Sequence, residues 1–553
     1  MYQSNEKIND APGICWRAEQ AKTRRDLWRS ILQEAYELAS PYRNPYLNDS
    51  KTRKNTPPPM NQLFESTMLV SNHNATNKLL LDIAPPEQRW PNIKVGPALF
   101  RRFKRLQRDG LASKQQLDAM LDDLMEQLES INDILDEVFG SETFNNALWE
   151  VMHDVRTAGM GVLLHLDQPG NDIEPVLFQC IPQDEVSIED GPDGREIGVY
   201  RGRSIRISHI MKLWSDAKTP DDMKKLIKEK DKDPEVDLLE ATYKDGNVWK
   251  YRVMWKREKG DPQDVVNREY ATSPFTVFHW SKIPGCEYGP GPVLMMLPDG
   301  RTINKVMEYV LKNAALALAG MYLVRDDGVV NPDNIQIMAG GMIPVQSTGG
   351  TMGASIAPLD TSREFTIGQI VLDDLRNIIR KGLGDNALPD PNKGIRSPTE
   401  IIERIREFTQ LNGGASGRMV SAMARVVRAV VDILGRRGFV PAVKIDNFAL
   451  RVQINSPLAR AQQFAEVETV VRWIEMCKGI GGPEMTALVA MLEEIMVWIA
   501  DAIGVPNRLV RPAKDRQAMK DEQAQAAQLQ SQISLAAQAA PVIQAAAMLP
   551  KAA

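Results

Sequence analysis

A chain of 553 residues is too long for one core and predicts three or four domains. Its 43% hydrophobic and 25% charged residues are those of an ordinary soluble protein. A net charge of −5 lacks the basic excess expected of a protein whose business is tight nucleic-acid binding. Cys15, Cys180, Cys286 and Cys477 are far apart, with no Cys-x-x-Cys and no paired His spacing, so buried thiols in a reducing compartment are expected rather than disulfides or a metal. No run of eighteen apolar residues occurs, and Met1 to Pro12 lacks the apolar stretch of a signal peptide. The expectation is synthesis and assembly in a cytoplasm.

Trp28, Ile31, Leu32, Ala35, Leu38 and Ala39 mark an N-terminal helix stopped by Pro41. Residues 48–59, ending in Pro57-Pro58-Pro59, read as a polar, rigid connector. A second helix spans about 61–83, and its Asn72, Asn74 and Asn77 predict packing against polar partners. Helical spacing returns from about 113 to 158 and closes at Gly159 to Gly161. The texture then turns to strand at Val162-Leu163-Leu164, Val176-Leu177-Phe178 and Val186-Ser187-Ile188. The clearest hairpin runs from Leu238 to Lys256, folded at Asp245-Gly246, with Trp249, Tyr251 and Val253 on the aromatic face. Phe275 to Trp280 supplies another strand. Helices followed by hairpins predict an α+β arrangement, mostly helical, rather than repeated βαβ units.

The stretch from Gly289 to Phe408 organises the rest. Gly-Pro-Gly-Pro (Gly289 to Pro292) leads into a helix from about Pro298 to Gly320, with Ile303, Val306, Met307, Val310, Leu311, Ala314 and Leu318 at helical spacing. Arg301, Lys305, Glu308 and Lys312 form one charged line on its other side. Gly-rich residues follow, with short strands expected at Tyr322–Val324, Ile335–Met338, Met342–Val345 and Ile356–Pro358. That small sheet is expected to complete itself with strands of a neighbouring copy. A second helix starts at Thr366, with Gln369 as capping-box partner, and ends at Gly382. After the loop Gly384 to Arg396, Ser397, Pro398 and Glu400 open a third helix. It is expected to run to Leu411 and break at Asn412-Gly413-Gly414, with the pattern resuming from Met419. A strand near Phe448–Ile454, a helix from Ser456-Pro457 through Met476, and another after Gly481-Gly482-Pro483 to Ile503 complete the ordered part. The Ala/Gln-rich tail, Ala513 to Ala540, is read as a helix, solvated or bundled, or as partial disorder.

Several of these motifs carry a resemblance. Phe64-Glu65-Ser66-Thr67, Pro85-Pro86 with Trp90, Gly-Pro-Gly-Pro followed by Leu297-Pro298-Asp299 and Ile303-Asn304, Ser397-Pro398-Thr399-Glu400-Ile401 with Arg404, Gly435-Arg436-Arg437-Gly438-Phe439-Val440-Pro441 and Gly504-Val505-Pro506 stand in an order that resembles the portal protein, or head-to-tail connector, of short-tailed (podovirus) bacteriophages. The family often has Met-Thr-Ala-Thr-Glu where this chain has Arg396 to Glu400, yet the capping logic survives.

The resemblance implies a ring, usually a dodecamer, at a unique capsid vertex of the virion, assembled in the host cytoplasm. Double-stranded DNA passes through its channel during packaging and ejection without sequence-specific contact. The partners implied are other copies of the chain, major capsid and scaffolding proteins, the terminase large subunit, and then tail or adaptor proteins. The implied parts are a wing (1–288 and 397–455), a first stem helix (289–320), a clip (321–365), a second stem helix (366–383), a tunnel loop (384–396), a crown (456–511) and a C-terminal tail or barrel helix (512–553). Channel-lining candidates are Arg301, Lys305, Lys312, Arg376 and Arg380, offset by Glu308; their alternative use is ion pairing between subunits. Tunnel-loop candidates are Asp385, Pro389, Asp390, Pro391, Lys393, Gly394 and Arg396. Arg325, Asp326, Asp327, Gly349 and Gly350 are docking candidates in the clip.

Chemistry that would make the chain an enzyme is missing from the sequence. There is no Gly-x-x-x-x-Gly-Lys-Ser/Thr loop, no His-Glu-x-x-His and no Gly-x-Ser-x-Gly. His73, His153, His165, His209 and His279 are scattered and read as structural. Asp373-Asp374 diverge by about 100° on a helix, so they and Asp326-Asp327 read as solvated carboxylates rather than a Mg²⁺ site. No enzyme, cofactor or metal is expected. Two other classes compete: a metal-dependent nuclease, tested by plasmid cleavage, and a phage internal protein on the host membrane, tested by liposome flotation. Against the second, the tail has few bulky residues and no basic amphipathic face, so no membrane partner is expected.

Overall fold

The computed structural model describes residues 9–47, 60, 62–86, 89–109, 114–230, 233–257, 260–319, 322–325, 342–345, 356–358, 366–385, 398–441, 450–454 and 457–503, with isolated positions from 511 to 526. It divides into two units, residues 1–99 with 129–454 and residues 100–128 with 455–553.

The first unit opens with α1 (Ala11–Asp26), α2 (Arg29–Ala39) and α3 (Thr67–Ile83), then β1 (Pro91–Val95). The helix α4 (Pro97–Arg108) and the first part of α5 (Lys114–Phe139) fall mostly in the second unit, and the end of α5, back in the first, leads to α6 (Glu142–Ala158). Ser141 caps α6 by accepting from the Phe144 amide, and Gly159 ends it at φ +83. The end of α5 and the start of α6 meet Trp90, just before β1, and Phe178 in an aromatic cluster with Phe139 and Phe144, neighbouring ring centroids lying 4.8–6.0 Å apart.

The strand-rich part holds β2 (Met160–Asp167), β3 (Val176–Ile181), β4 (Val186–Asp190) and β5 (Glu196–Arg206). After the short helices α7 (Ile207–Leu213) and α8 (Asp221–Lys230) come β6 (Glu235–Asp245), β7 (Val248–Trp255), β8 (Gln263–Tyr270) and β9 (Phe275–His279). They form an antiparallel five-stranded sheet, β4-β5-β6-β7-β8, and a three-stranded sheet, β3-β2-β9. The hairpin expected at Asp245-Gly246 is there: Asp245 pairs with Val248 and Gly246 has φ +61. Its alternation also holds, with Tyr251 and Val253 fully buried and Val248 exposed. The strands β5 and β8, which the sequence did not announce, complete this sheet. Both carry polar residues at buried or bulged positions: Arg201 is buried in β5, and the register of β8 shifts opposite Val253/Met254.

Next come α9 (Pro292–Met295), α10 (Leu297–Ala319), three short strands β10 (Tyr322–Arg325), β11 (Met342–Val345) and β12 (Ile356–Pro358), and α11 (Thr366–Leu383). The small sheet has order β11-β10-β12; the strand expected at Ile335–Met338 lies outside the described residues. The Gly-Pro-Gly-Pro stretch has a packing reason. A Cβ on Gly159 would lie 2.0 Å from the Gly289 carbonyl oxygen, and one on Gly291 would lie 2.6 Å from that of Arg156. Two backbone segments therefore cross at a distance no side chain permits.

The long helix α12 (Pro398–Arg436) corrects an expectation. It does not break at Asn412-Gly413-Gly414 but runs through for 39 residues. Each Gly costs a helix interior about 1 kcal/mol, whereas Met419, Met423, Val426, Val427, Val430 and Leu434 on the same helix are completely buried. Tertiary burial outweighs local propensity. After it, β13 (Leu450–Ile454) pairs antiparallel with β1, so segments some 350 residues apart in sequence share a sheet.

In the second unit, α13 (Pro457–Val489) is interrupted at Gly482 (φ 75, ψ 178), where Gly-Gly-Pro predicts a separation, and α14 (Leu492–Ile503) follows. The tail from Ala513 lies outside the described residues apart from isolated positions. The described residues thus mix helix and sheet as the α+β expectation requires.

Candidate functional site

The helices α10 and α11 pack side by side and are embedded at one end. Leu297 and Ile303 of α10 and Leu372, Ile379 and Leu383 of α11 share a core with Leu32, Tyr36, Met68, Val293 and Leu294. This foot is held by a polar clamp built from motifs that lie far apart in sequence. Asn304 Oδ1 accepts from the amides of Phe64 (2.8 Å) and Glu65 (3.2 Å), while its Nδ2 donates to the Gln62 carbonyl at 3.0 Å. Glu65 in turn accepts from Arg376 Nη2 at 2.7 Å and Thr67 Oγ1 at 2.6 Å. Burial pushes the Glu65 carboxyl up, but the Arg376 and Thr67 bonds together outweigh it and hold it below its ordinary range. Phe64-Glu65 and Ile303-Asn304 are therefore one contact.

Within the same foot, the C-terminus of α11 is fastened by Arg156, which lies at 3% exposure in α6. Its Nη2 donates to the Leu383 carbonyl at 2.6 Å and its Nε to Asn72 Oδ1 at 3.3 Å. A cation on the last carbonyls of a helix satisfies groups that lack an intrahelical partner. Burial lowers this guanidinium to about 10, opposed by the Asp385 carboxylate. Asn72 also donates to Thr157 Oγ1 (3.0 Å), Asn74 donates to Asp385 (3.5 Å), and Asn77 accepts from Trp149 Nε1 (2.6 Å). The three asparagines of α3 have the polar partners their sequence position called for.

Away from the foot, the pair meets solvent. Tyr309, Leu311 and Leu318 of α10 and Val371 and Ile378 of α11 are exposed, Leu318 at 90%. The charged line of α10 is an ion-pair ladder in which Glu308 receives Lys305 at 2.8 Å and Lys312 at 2.6 Å. Both lysines lower the Glu308 carboxyl from its ordinary range. Arg301 pairs with Glu34, and Arg376 with Glu65 and, at 3.3 Å, Asp373. Arg380 is exposed and has no partner among the described residues. Asp373 is an exposed carboxylate, as expected, and no group of three or more metal-ligating side chains occurs among the described residues.

The remaining candidates are only partly placed. Asp385 is half-buried beside Asn74. Arg325 ends β10. Pro389, Asp390, Pro391, Lys393, Gly394, Arg396, Asp326, Asp327, Gly349 and Gly350 lie outside the described residues. Glu34 and Arg156 emerge only from the structure, with no signal in the sequence. Asn304 stands in the Ile303-Asn304 motif, but its contact with Phe64-Glu65 does not show there.

A cleft of about 1030 Å³ lies elsewhere in the same unit, lined by Arg195, Lys282, Arg418, Arg425, Arg428 and Arg451 among others. Its cations are largely engaged. Arg418 donates to the Trp280 carbonyl (2.9 Å), and Arg425 to Val277 O (2.7 Å) and Glu196 (3.0 Å). These bonds tie α12 to β9 and the strand edge beyond it.

The sequence matches the family model described as bacteriophage head to tail connecting protein over residues 12–510. Among solved structures, the neck of an empty gene transfer agent (GTA) particle computed with C6 symmetry is similar at 11% identity and TM-score 0.33, covering 74% of this chain and 88% of that one. A chain of the virion of a native GTA particle is similar at 12% identity and TM-score 0.32, covering 75% and 87%. The neck of a native GTA particle computed with C12 symmetry is similar at 13% identity and TM-score 0.31, covering 72% and 95%. TM-scores this low transfer no arrangement of parts. No curated protein matches the chain.

Proposed function

Because the chain belongs to the bacteriophage head to tail connecting proteins, we propose that it is a portal subunit of a short-tailed phage. Copies of it, twelve by the family resemblance, form a ring at one capsid vertex. Double-stranded DNA enters and leaves through the central hole, while terminase and then tail proteins dock on the segment between α10 and α11. In this reading the pair α10/α11 is the stem and residues 384–396 form the tunnel loop.

The observation that carries the reading is the helix pair itself. It is clamped at its foot, yet it leaves Tyr309, Leu311, Leu318, Val371 and Ile378 in water. Burying such side chains is worth about 25 cal/mol per Å² of apolar area, and copies of the same pair arranged side by side supply the cover. The charges support a conduit rather than a binder. Each phosphate neutralised steepens the salt dependence of binding by about 0.9 in log K per log salt. Of the five candidate cations, Arg301, Lys305, Lys312 and Arg376 already hold carboxylates, which leaves Arg380. A wall with few free cations lets a duplex slide.

Negative-stain imaging of the purified full-length protein tests this. Annular particles with a hole wide enough for a duplex are expected. A protein that remains a solitary globule under all assembly conditions would overturn the reading.

A further inference from the structure

Charge is segregated along two successive helices. The helix α4, Pro-Ala-Leu-Phe-Arg-Arg-Phe-Lys-Arg-Leu-Gln-Arg, has five bases and no acid. Its successor α5 has eight acids (Asp118, Asp122, Asp123, Glu126, Glu129, Asp133, Asp136, Glu137) against one base, Lys114, a net of 1 − 8 = −7. The whole chain carries only −5, so these two stretches are far from the average in opposite directions.

Among the described residues, no ion pair joins the two helices. Arg101, Arg102 and Arg105 are exposed and have no carboxylate partner among the described residues, and Arg108 has only the adjacent Asp109 at 4.0 Å. On α5, Arg89, which lies just before β1, takes Glu129 (3.0 Å), Asp133 and Asp136 (3.8 Å). Asp123 and Glu126 remain exposed with no cation partner among the described residues; Asp123 accepts only from Gln127, at 3.3 Å. Arg101, Arg105 and Arg108 recur at i, i+4, i+7, a line of about 10.5 Å at 1.5 Å per residue, and the exposed acids Asp123 and Glu126, at i, i+3, form the acidic stripe of α5.

Two unlike, complementary patches on one molecule are what a head-to-tail contact between copies requires, and a head-to-tail contact closes into a ring when its rotation permits. We propose that the basic face of α4 in one copy docks on the acidic stripe of α5 in the next. The inference rests on the ring reading above and names the surfaces that set the order of copies around it. Charge matching of this kind steers encounter and fixes register, and it weakens with salt because the Debye length falls from about 10 Å at 0.1 M to about 3 Å at 1 M.

The test is a charge swap in the full-length protein, read as the ring-to-monomer ratio by mass photometry and negative stain. The variant Arg101→Glu/Arg105→Glu carries acid on both faces, and Asp123→Arg/Glu126→Arg carries base on both. Each alone is expected to lose at least tenfold in that ratio while keeping the wild-type circular dichroism and melting curve. Mixed one to one they are expected to recover it, since each basic face then meets an acidic one on its neighbour. The inference is overturned if either variant assembles like wild type, or if the mixture fails to recover. Recovery only when all four substitutions sit in one chain overturns it too, by placing the contact within a copy. Normal assembly with weakened binding of a duplex fragment would assign the basic face to nucleic acid instead. These outcomes leave the ring reading intact, whereas wild-type protein without rings removes both.

Discussion

The five-stranded sheet and the helix pair α10/α11 handle charge and apolar surface in opposite ways. In the sheet, Glu240 is fully buried and takes Arg203 at 2.5 Å, Arg201 at 3.7 Å and the Tyr251 hydroxyl at 3.0 Å, while Trp214 donates to that hydroxyl at 3.2 Å. Around this network Ile188, Val199, Leu238, Tyr251 and Val253 close a core that needs nothing from outside. The helix pair keeps its Lys305–Glu308–Lys312 ladder at the surface and leaves large apolar side chains uncovered. The difference teaches that one chain holds a finished body and an unfinished projection, and that the projection is where another molecule belongs.

The largest effect is expected from breaking the body. Glu240→Ala leaves Arg201 and Arg203 in the interior without their shared carboxylate, and removing one partner of a buried pair costs about 3–5 kcal/mol. Chemical denaturation should show that loss, and an unchanged midpoint would mean that Glu185, 2.9 Å from Arg201, suffices alone.

Acid acts on the molecule in two pH windows. His153 and His165 are buried and neutral; burial lowers both to about 3, with nearby Arg43 and Arg156 adding to the effect at His153. Their folded values lie below the ordinary 6.5, so the unfolded chain takes up protons that the folded chain refuses. Stability is level above about pH 7 and declines as pH falls below 6.5, by about 2 kcal/mol per histidine at pH 5. Glu65 acts later, because its depressed carboxyl contributes stability that is full above its ordinary value and is lost as pH drops through the folded one. Melting curves between pH 7.5 and 5 should fall steadily, and His165→Gln should remove about half of the slope.

Asn304→Ala sharpens the comparison at the foot. It strips the acceptor from the Phe64 and Glu65 amides, a cost of about 1–3 kcal/mol where such groups stay buried. Hydrogen exchange should rise at 62–67 while the sheet keeps its protection, and a global change would mean that foot and body unfold as one. The smallest effect is expected from Glu308→Ala. An exposed ladder on one helix holds little, so the melting temperature should stay at the wild-type value.

Much of the helix pair was legible in the sequence, because one apolar line and one ionic line repeat at 3.6 residues from Ile303 to Lys312. The hairpin was equally legible from Asp245-Gly246 and its alternation. The strand β5 was not, since Arg201 and Arg203 interrupt the apolar pattern and are tolerated only because Glu240 lies on the neighbouring strand. The unbroken α12 was hidden for a related reason: local preference at Gly413-Gly414 yields to burial that a single sequence does not display. At the candidate site, motif order pointed to Phe64-Glu65 and Ile303-Asn304 separately, but nothing local says that they touch. Arg156 meets Leu383 across 227 positions, which no spacing rule reaches.

That last contact has a mechanical consequence. Tension applied to the polypeptide beyond Asp385 meets the Leu383 carbonyl among its first contacts, and there Arg156 connects it to α6 and the sheet that α6 covers. The route has no slack, for the guanidinium is walled in by Asn72 and by the Trp280 ring 5.7 Å away. Pulling experiments on single molecules should therefore find Arg156→Lys giving way at lower force than the parent, with its resting melting curve little altered.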